Sequence, residues 1–146
     1  DTYGNLYNWY AVDDDRGLCM DGWHVPSDEE FIQLEMYLGA SEEEANSIGW
    51  RGTDEGSQLA GNSDLWRDDN LENNSEFGTS GFNVLPAGFR DDNGTYSSMG
   101  NSGSPWSSSE DGSDDAWARN LYYSYPSVFR GFGNRHLGFS IRCLKD

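Results

Sequence analysis

The chain has 146 residues, about the length of one ordinary domain, and carries 26 Asp and Glu against 9 Lys and Arg, a formal net charge of −17. This charge excludes nucleic acid as a partner, because nucleic-acid binding depends on a basic surface that neutralises phosphates. High net charge with few aliphatic residues is typical of disordered chains, but 6 Trp, 8 Tyr and 7 Phe can replace the missing aliphatics, so we expect one compact domain over residues 1–146.

The first third of the chain predicts one strand and two helices. Residues 3–12 are rich in aromatic side chains and predict a strand. Ser27 and Glu30 have the spacing of a capping box, which begins a helix that ends before Gly39. A second capping box, in the sequence Ser-Glu-Glu-Glu, predicts a shorter helix over residues 42–48. The residues of the first helix that we expect to face a sheet are Phe31, Leu34 and Leu38.

The other two thirds predict a long loop followed by short strands. Residues 51–80 show little periodicity, so we expect a structured loop held by apolar anchors. From Phe82 onward, Gly, Asn, Asp and Ser separate short aromatic runs, which is typical of a chain of short strands. The anchors are Leu59, Leu65, Trp66 and Phe77, and the strands are expected within residues 82–89, 95–99, 106–110, 116–123, 128–132 and 138–144.

The two cysteines, Cys19 and Cys143, are too few and too far apart in the sequence for a zinc site, because His24 and His136 are the only histidines that could join them as ligands. They form either a disulfide or two buried thiols. A glycine-rich, acidic composition suits a secreted protein, in which a bridge closing so long a loop contributes about 4–5 kcal/mol on the entropic model. No apolar run approaches the roughly 18 residues of a spanning helix, so we expect no membrane insertion.

The histidines and acidic runs give no sign of a catalytic centre. We expect His24 to be a hydrogen-bonded structural residue at the entry to the first helix and His136 to be exposed in a loop. No Gly-x-Ser-x-Gly elbow and no phosphate-binding loop is present, so we predict that the protein is not an enzyme and needs no cofactor. Acidic runs in loops are usually solvated turns, but they leave one candidate for a structural calcium ion, residues 91–93 with Asn101.

The C-terminal third has the composition of a recognition surface. Alternation over residues 116–123 places Trp117 and Leu121 on one face of a strand and Asn120 on the other. We expect Trp106, Trp117 and Leu121 to be buried in the core. Exposed Tyr, Phe and Arg beside Asn and Ser give large contact area at low entropic cost, although these rings could instead fill the core. The candidate binding residues are Asn120, Tyr122, Tyr125, Phe129, Phe132 and Arg135.

Six separated blocks resemble, in order and spacing, the Fibrobacter succinogenes major paralogous domain. They include Gly-Trp-His-Val-Pro-Ser at 22–27 and Trp-Ser-Ser-Ser-Glu at 106–110. The resemblance implies an α+β fold of the C-type-lectin-like, formylglycine-generating-enzyme-like kind, with two early helices packed on small twisted antiparallel sheets and much irregular loop. The blocks are residues 3–12, 17–28, 50–59, 80–90, 106–110 and 138–146.

The resemblance also bears on function. Formylglycine-generating enzymes are oxidases with two neighbouring cysteines near the C-terminus, whereas here Cys143 stands alone there and Cys19 occupies the position of its partner in a structural bridge. Residues 93–101 are similar to a calcium-binding segment of those enzymes, but Ser98 replaces its Asp. The variable proteins of diversity-generating retroelements present solvent-facing side chains between a similar block at 106–110 and the last strand.

These observations together predict a secreted or bacterial surface-displayed, non-enzymatic domain that binds through its C-terminal strands. Its partner is expected to be a protein ligand, a glycan ligand or neighbouring copies of the same chain. The alternative functions are a structural subunit of an extracellular filament and an oxidase of the formylglycine-generating type.

Overall fold

A computed structural model describes residues 2–146 of the chain. It shows a small mixed α/β protein, in which short helices surround antiparallel sheets. Within the described part, no helix has the length and apolar character that crossing a membrane requires. The helices are α1 (Trp9–Val12), α2 (Asp28–Leu38), α3 (Glu42–Asn46) and α4 (Glu55–Leu59), with a 3-10 turn at Ser63–Leu65; the strands are β1 (Trp23–His24), β2 (Gly49–Arg51), β3 (Phe89–Arg90), β4 (Tyr96–Ser97), β5 (Ser102–Gly103), β6 (Trp106–Asp111), β7 (Asp115–Tyr122), β8 (Tyr125–Asn134) and β9 (Leu144–Lys145).

The strand predicted over residues 3–12 is wrong. Tyr7 makes a single antiparallel bridge to Phe139, and the chain then turns into α1. The Asn8 side chain caps this helix by accepting a hydrogen bond from the Ala11 amide. Trp9 is fully buried in a turn conformation, so capping and burial together override the strand preference of the aromatic residues.

Both predicted capping boxes are present. The Ser27 hydroxyl accepts from the Glu30 amide at 3.2 Å, and the Glu30 carboxylate accepts from the Ser27 amide at 2.8 Å. On α2, Phe31 is buried, and Leu34 and Leu38 pack against the same core, as predicted. The shorter helix α3 begins as predicted but ends two residues early at Asn46, because the next residue turns into an extended conformation.

The predicted loop over residues 51–80 contains α4 and the 3-10 turn, which the sequence pattern did not reveal. At Gly56, α4 approaches β8 so closely that a Cβ atom would collide with the Ser127 carbonyl. Leu59 and Trp66 are buried, which confirms two of the expected anchors, and Leu71 is a third, unpredicted one. Leu65 and Phe77 are only partly buried.

The main sheet has five antiparallel strands in the order β2-β8-β7-β5, and β6 also pairs with β7. The strands predicted at 106–110, 116–123 and 128–132 are confirmed as β6, β7 and β8. Of the strand predicted at 95–99, only the two residues of β4 are extended, and they pair with β3. The structure therefore has two small two-stranded sheets beside the main sheet, β3 with β4 and β1 with β9.

Two predicted strands are mostly absent. Residues 82–89 contribute only their last residue to β3, since Pro86 has no amide hydrogen to donate and Gly81 and Gly88 have positive φ. Residues 138–144 bridge three different segments with one residue each before β9 begins. A segment that changes partner at every residue cannot form a regular ladder.

Two cores lie on opposite faces of the main sheet. On the face turned toward α2, here called the front face, Leu121 and Val128 pack with Phe31 and Leu59. On the back face, Trp106 belongs to a second core with Trp9, Ala116 and Ala118. Trp106 and Leu121 are thus buried as predicted, whereas Trp117 is only partly buried and lies under the Arg130 guanidinium, 4.1 Å from the ring centroid.

Cys19 and Cys143 form a disulfide, as predicted, with Cα atoms 6.0 Å apart. The bridge joins the loop before β1 to the segment before β9. Because these two strands also pair with each other, the covalent and hydrogen-bonded links reinforce the same junction.

Candidate functional site

Four aromatic side chains form a row on the back face of the main sheet, here called the aromatic row. Trp50 of β2 is the register partner of Phe129 of β8, and their ring centroids are 5.5 Å apart. Trp50 also contacts Tyr125, with centroids 4.7 Å apart, and Tyr125 lies 6.1 Å from Tyr122 of β7. The exposed fractions of Trp50 and Tyr125 are 41% and 47%, so the row presents apolar surface to solvent.

Strand alternation explains why these rings share one face. Arg51 and Arg119 point to the front face, where both bond Glu35 of α2, so their neighbours Trp50 and Asn120 must point to the back. The pairing of Asn120 with Phe129 then brings β7 and β8 into the same surface.

A cavity of about 270 Å³ adjoins the row. Its floor is made of small residues, because Ala118 pairs with Gly131 and the Phe129 ring lies against the Gly131 Cα. The Asn120 amide group forms one wall and is held in place by donating to Ser102 Oγ and Ser104 Oγ, each at 2.7 Å. The site therefore combines an aromatic surface with one oriented amide group.

Four of the six candidate residues come together at this surface, and two do not join the row. Asn120, Tyr122, Tyr125 and Phe129 are the four. Phe132, 52% exposed, lies at the rim of the cavity, and its ring meets Trp117 edge-on at 5.8 Å.

Arg135 lies apart from the row, in the turn after β8. Its guanidinium sits 4.5 Å from the centroid of the Trp9 ring and donates to the backbone carbonyls of Gly112 and Asp115. A carboxylate oxygen of Glu110 lies 3.2 Å from its Nη2. Arg135 thus fastens the β6–β7 turn to the second core.

Trp50 is the residue of the site that sequence reasoning missed. It belongs to a three-residue strand, which is too short to show alternation on its own. Its neighbour Arg51 could have indicated the direction of Trp50. If Arg51 points to the buried face of a strand, alternation turns the preceding side chain to the opposite face.

A buried ionic cluster lies directly beneath the site, on the front face. Arg119 donates from Nε to Glu35 and from Nη1 to Asp28, each at 2.7 Å, and Arg130 donates from Nη2 to Asp28 at 2.6 Å. Arg51 also pairs with Glu35. Burial raises the pKa of Asp28, but the hydrogen bonds and charges of Arg130 and Arg119 outweigh it and leave that pKa below its ordinary value.

This cluster fixes α2 against the strands that carry the row. Asp28 and Glu35 are seven residues apart and therefore lie on one face of α2. Alternation along β7 places Arg119 on the same face as the buried Leu121, but the sequence identified neither the burial of this arginine nor its acidic partners. Rigid strands beneath a binding surface reduce the entropy lost when a partner binds.

The histidines take the expected positions. His24 bonds Asp146 through Nδ1 at 2.7 Å and Glu30 through Nε2 at 2.8 Å. These hydrogen bonds, that to Asp146 first, raise the pKa of His24 above its ordinary value. His136 is exposed, and its ring lies 5.3 Å from that of Tyr10.

The acidic loops bond within their own turns. In the calcium candidate, Asp91 Oδ1 accepts from the Asp92 amide and Asn93 Oδ1 accepts from the Thr95 amide. Across residues 2–146, no three His, Cys, Asp or Glu side chains gather into a group suited to a metal ion.

Comparison with known proteins gives one match. No curated protein and no solved structure matches the chain. The family model described as the Fibrobacter succinogenes major domain matches residues 1–145. A match over nearly the entire length, in the order of the sequence blocks noted above, assigns the family. The chain therefore belongs to the Fibrobacter succinogenes major domain family.

Proposed function

We propose that this protein is a secreted or bacterial surface-displayed binding domain, without enzymatic activity, that recognises its partner through the aromatic row and the adjoining cavity. The observation that carries the proposal is the exposure of Trp50 and Tyr125 in one contiguous aromatic surface. Aromatic rings beside a fixed amide are typical of recognition surfaces, in which Trp and Tyr anchors dominate the binding energy.

The fold that we propose is C-type-lectin-like, of the formylglycine-generating-enzyme kind. The supporting features are two capped helices early in the chain, small antiparallel sheets and long irregular connections. The pairing of β1 with β9, which joins the two ends of the domain, is a further supporting feature.

The disulfide supports a location outside the cell, because such bonds persist in oxidising environments. The absence of enzymatic activity is proposed from the chemistry of the surface. Its side chains are Trp, Phe, Tyr and Asn, and none of these types ordinarily changes protonation near neutral pH. The partner is a protein or glycan ligand; a neighbouring copy of the chain, as in an extracellular filament, is the alternative.

The test compares Trp50→Ala and Tyr125→Ala with the control Tyr37→Ala, which removes a side chain that is 87% exposed on α2. Binding is measured on a glycan array and against purified surface proteins of the source cell. We expect the two row variants to bind a ligand about tenfold or more weakly, since central anchors contribute roughly 2 kcal/mol or more, while Tyr37→Ala binds normally.

Analytical ultracentrifugation over a range of concentrations separates ligand binding from self-assembly. A monomer that binds a ligand through the row supports the proposal. Self-association that both row variants abolish favours the filament subunit instead. Ligand binding that is equally strong in all three variants places the recognition surface elsewhere and contradicts the proposal.

A further inference from the structure

A second cavity, of about 450 Å³, lies between the N-terminal segment and the segment that leads into β9. We call it the terminal cavity. Tyr3, Asn5 and Tyr7 line one side, and Ser140 and Arg142 line the other. It shares no lining residue with the cavity at the aromatic row, so it is a separate feature of the surface.

Arg142 is unusual among the arginines of this acidic protein. Five of them lie within 4.0 Å of a carboxylate oxygen, whereas among residues 2–146 no carboxylate is that close to Arg142. Its Nε donates to the Phe82 carbonyl at 2.9 Å, and its guanidinium carbon lies 6.0 Å from the Phe82 ring centroid. Nη1 and Nη2 donate no hydrogen bond to the described residues.

The partial burial of Arg142 makes this missing partner costly. Burial lowers the pKa of the guanidinium below its ordinary value, which means that the charged form loses hydration without gaining a compensating anion. Arg67 and Arg90 also lack a carboxylate and lie over the rings of Tyr123 and Tyr96, but neither of them lines the terminal cavity.

A second polar group in the same cavity lacks a partner. The Ser140 hydroxyl is fully buried, yet it makes no hydrogen bond within residues 2–146. It lies two residues before Arg142 on the same extended segment. A buried hydroxyl without a hydrogen-bond partner and a partly buried guanidinium without a carboxylate partner, at one cavity, are two signs of a missing hydrogen-bond acceptor.

We propose that the terminal cavity binds the carboxylate of a small organic acid. Arg142 would donate two parallel hydrogen bonds to the carboxylate, the arrangement that a guanidinium favours, and Ser140 would donate a third after its side chain rotates toward the cavity. Leu18, Leu85 and Ile141 also line the cavity and provide an apolar surface for the body of the acid.

The charges of the protein favour one carboxylate over a phosphate. A single arginine balances one negative charge, and a net charge of −17 repels dianions and polyanions more strongly than a monoanion. The volume of the terminal cavity falls within the range of small-molecule sites, so the ligand class is a monocarboxylate with a compact apolar body.

The proposal is tested by titrating the full chain with benzoate, and in parallel with benzamide and inorganic phosphate, by NMR. We expect saturable benzoate binding with a Kd on the order of 1 mM, shifts at Tyr3, Tyr7 and Ser140, and at least about tenfold weaker binding of benzamide and phosphate. Equal binding of benzoate and benzamide, stronger binding of phosphate, or no saturation by benzoate would overturn the proposal.

Arg142→Gln is expected to weaken benzoate binding about tenfold, and the control Arg67→Gln, with the same change in charge, is expected to bind as the original protein does. If Arg142→Gln does not fold, Ser140→Ala provides the second variant and is expected to weaken binding severalfold. An equal loss in Arg67→Gln, or unchanged binding in whichever cavity variant folds, would show that the interaction is not with this cavity.

Discussion

At the scale of single residues, the molecule places its charges in two different ways. More than half of the 26 acidic residues are exposed, in turns and on helices, where they keep the surface hydrated. Asp28 and Glu35 are instead buried with three arginines, and every pairing crosses from α2 to the sheet. Removing one acid would leave buried guanidinium groups unpaired, which is why such clusters specify one arrangement of helix and sheet.

His24 leads to a prediction about pH. Its pKa is raised in the folded protein, so the stabilisation from its bonds to Asp146 and Glu30 is complete below pH 6.5 and is lost as the pH rises through the folded-state pKa. We expect the free energy of unfolding to fall as the pH rises above about 6.5, and His24→Gln to reduce that fall.

The measurement is the urea unfolding midpoint at a series of pH values. His136→Gln is the control, because it removes a histidine from an exposed loop, and it should keep the slope of the original protein. A His24→Gln profile that is parallel to the original profile would show that the pH dependence has another origin.

At the scale of elements, short helices depend on their caps because they have few internal hydrogen bonds. Ser27→Ala removes half of the capping box of α2, the helix that carries Phe31 and the two buried acids. We expect a loss of about 0.5–2 kcal/mol in the free energy of unfolding, measured by urea denaturation.

Ser75→Ala is the matched control for this prediction, since Ser75 is exposed and its hydroxyl makes no hydrogen bond within the described residues. It should change stability by less than about 0.5 kcal/mol. Similar small effects from both substitutions would mean that packing alone determines where α2 begins.

At the scale of the whole molecule, the two ends of the domain are held together. The Cys19–Cys143 bridge closes a loop of 124 positions next to the β1–β9 pair. On the entropic model, reduction should remove about 4–5 kcal/mol of stability and lower the melting temperature by roughly 10–20 °C. Ligand binding at the aromatic row should not change, because the bridge lines neither the row nor its cavity.

Differential scanning calorimetry with and without dithiothreitol checks this expectation. The double variant Cys19→Ser with Cys143→Ser serves as the control, since it should melt at the temperature of the reduced protein and show no response to dithiothreitol. An unchanged melting temperature after complete reduction, verified by thiol titration, would contradict a stabilising role.

The sequence by itself determined the features that depend on neighbouring residues. Both capping boxes, the burial of Phe31 and the alternation over β7 follow from local spacing, because a helix or strand fixes the direction of its side chains. The sequence blocks also indicated the family and the cysteine pairing.

Only the tertiary structure decided the features that depend on residues far apart in the chain. Residues 3–12 and 138–144 resemble strands, yet the first segment makes a single bridge and the second bridges three different segments, since a ladder requires a partner that the local sequence does not encode. Trp50 contacts Phe129 and Tyr125 for a related reason: β2 pairs with β8, which lies far later in the chain, so local spacing could not predict this contact. The position of each aromatic ring was thus set by long-range pairing, whereas the sequence determined only that aromatic rings would dominate the surface.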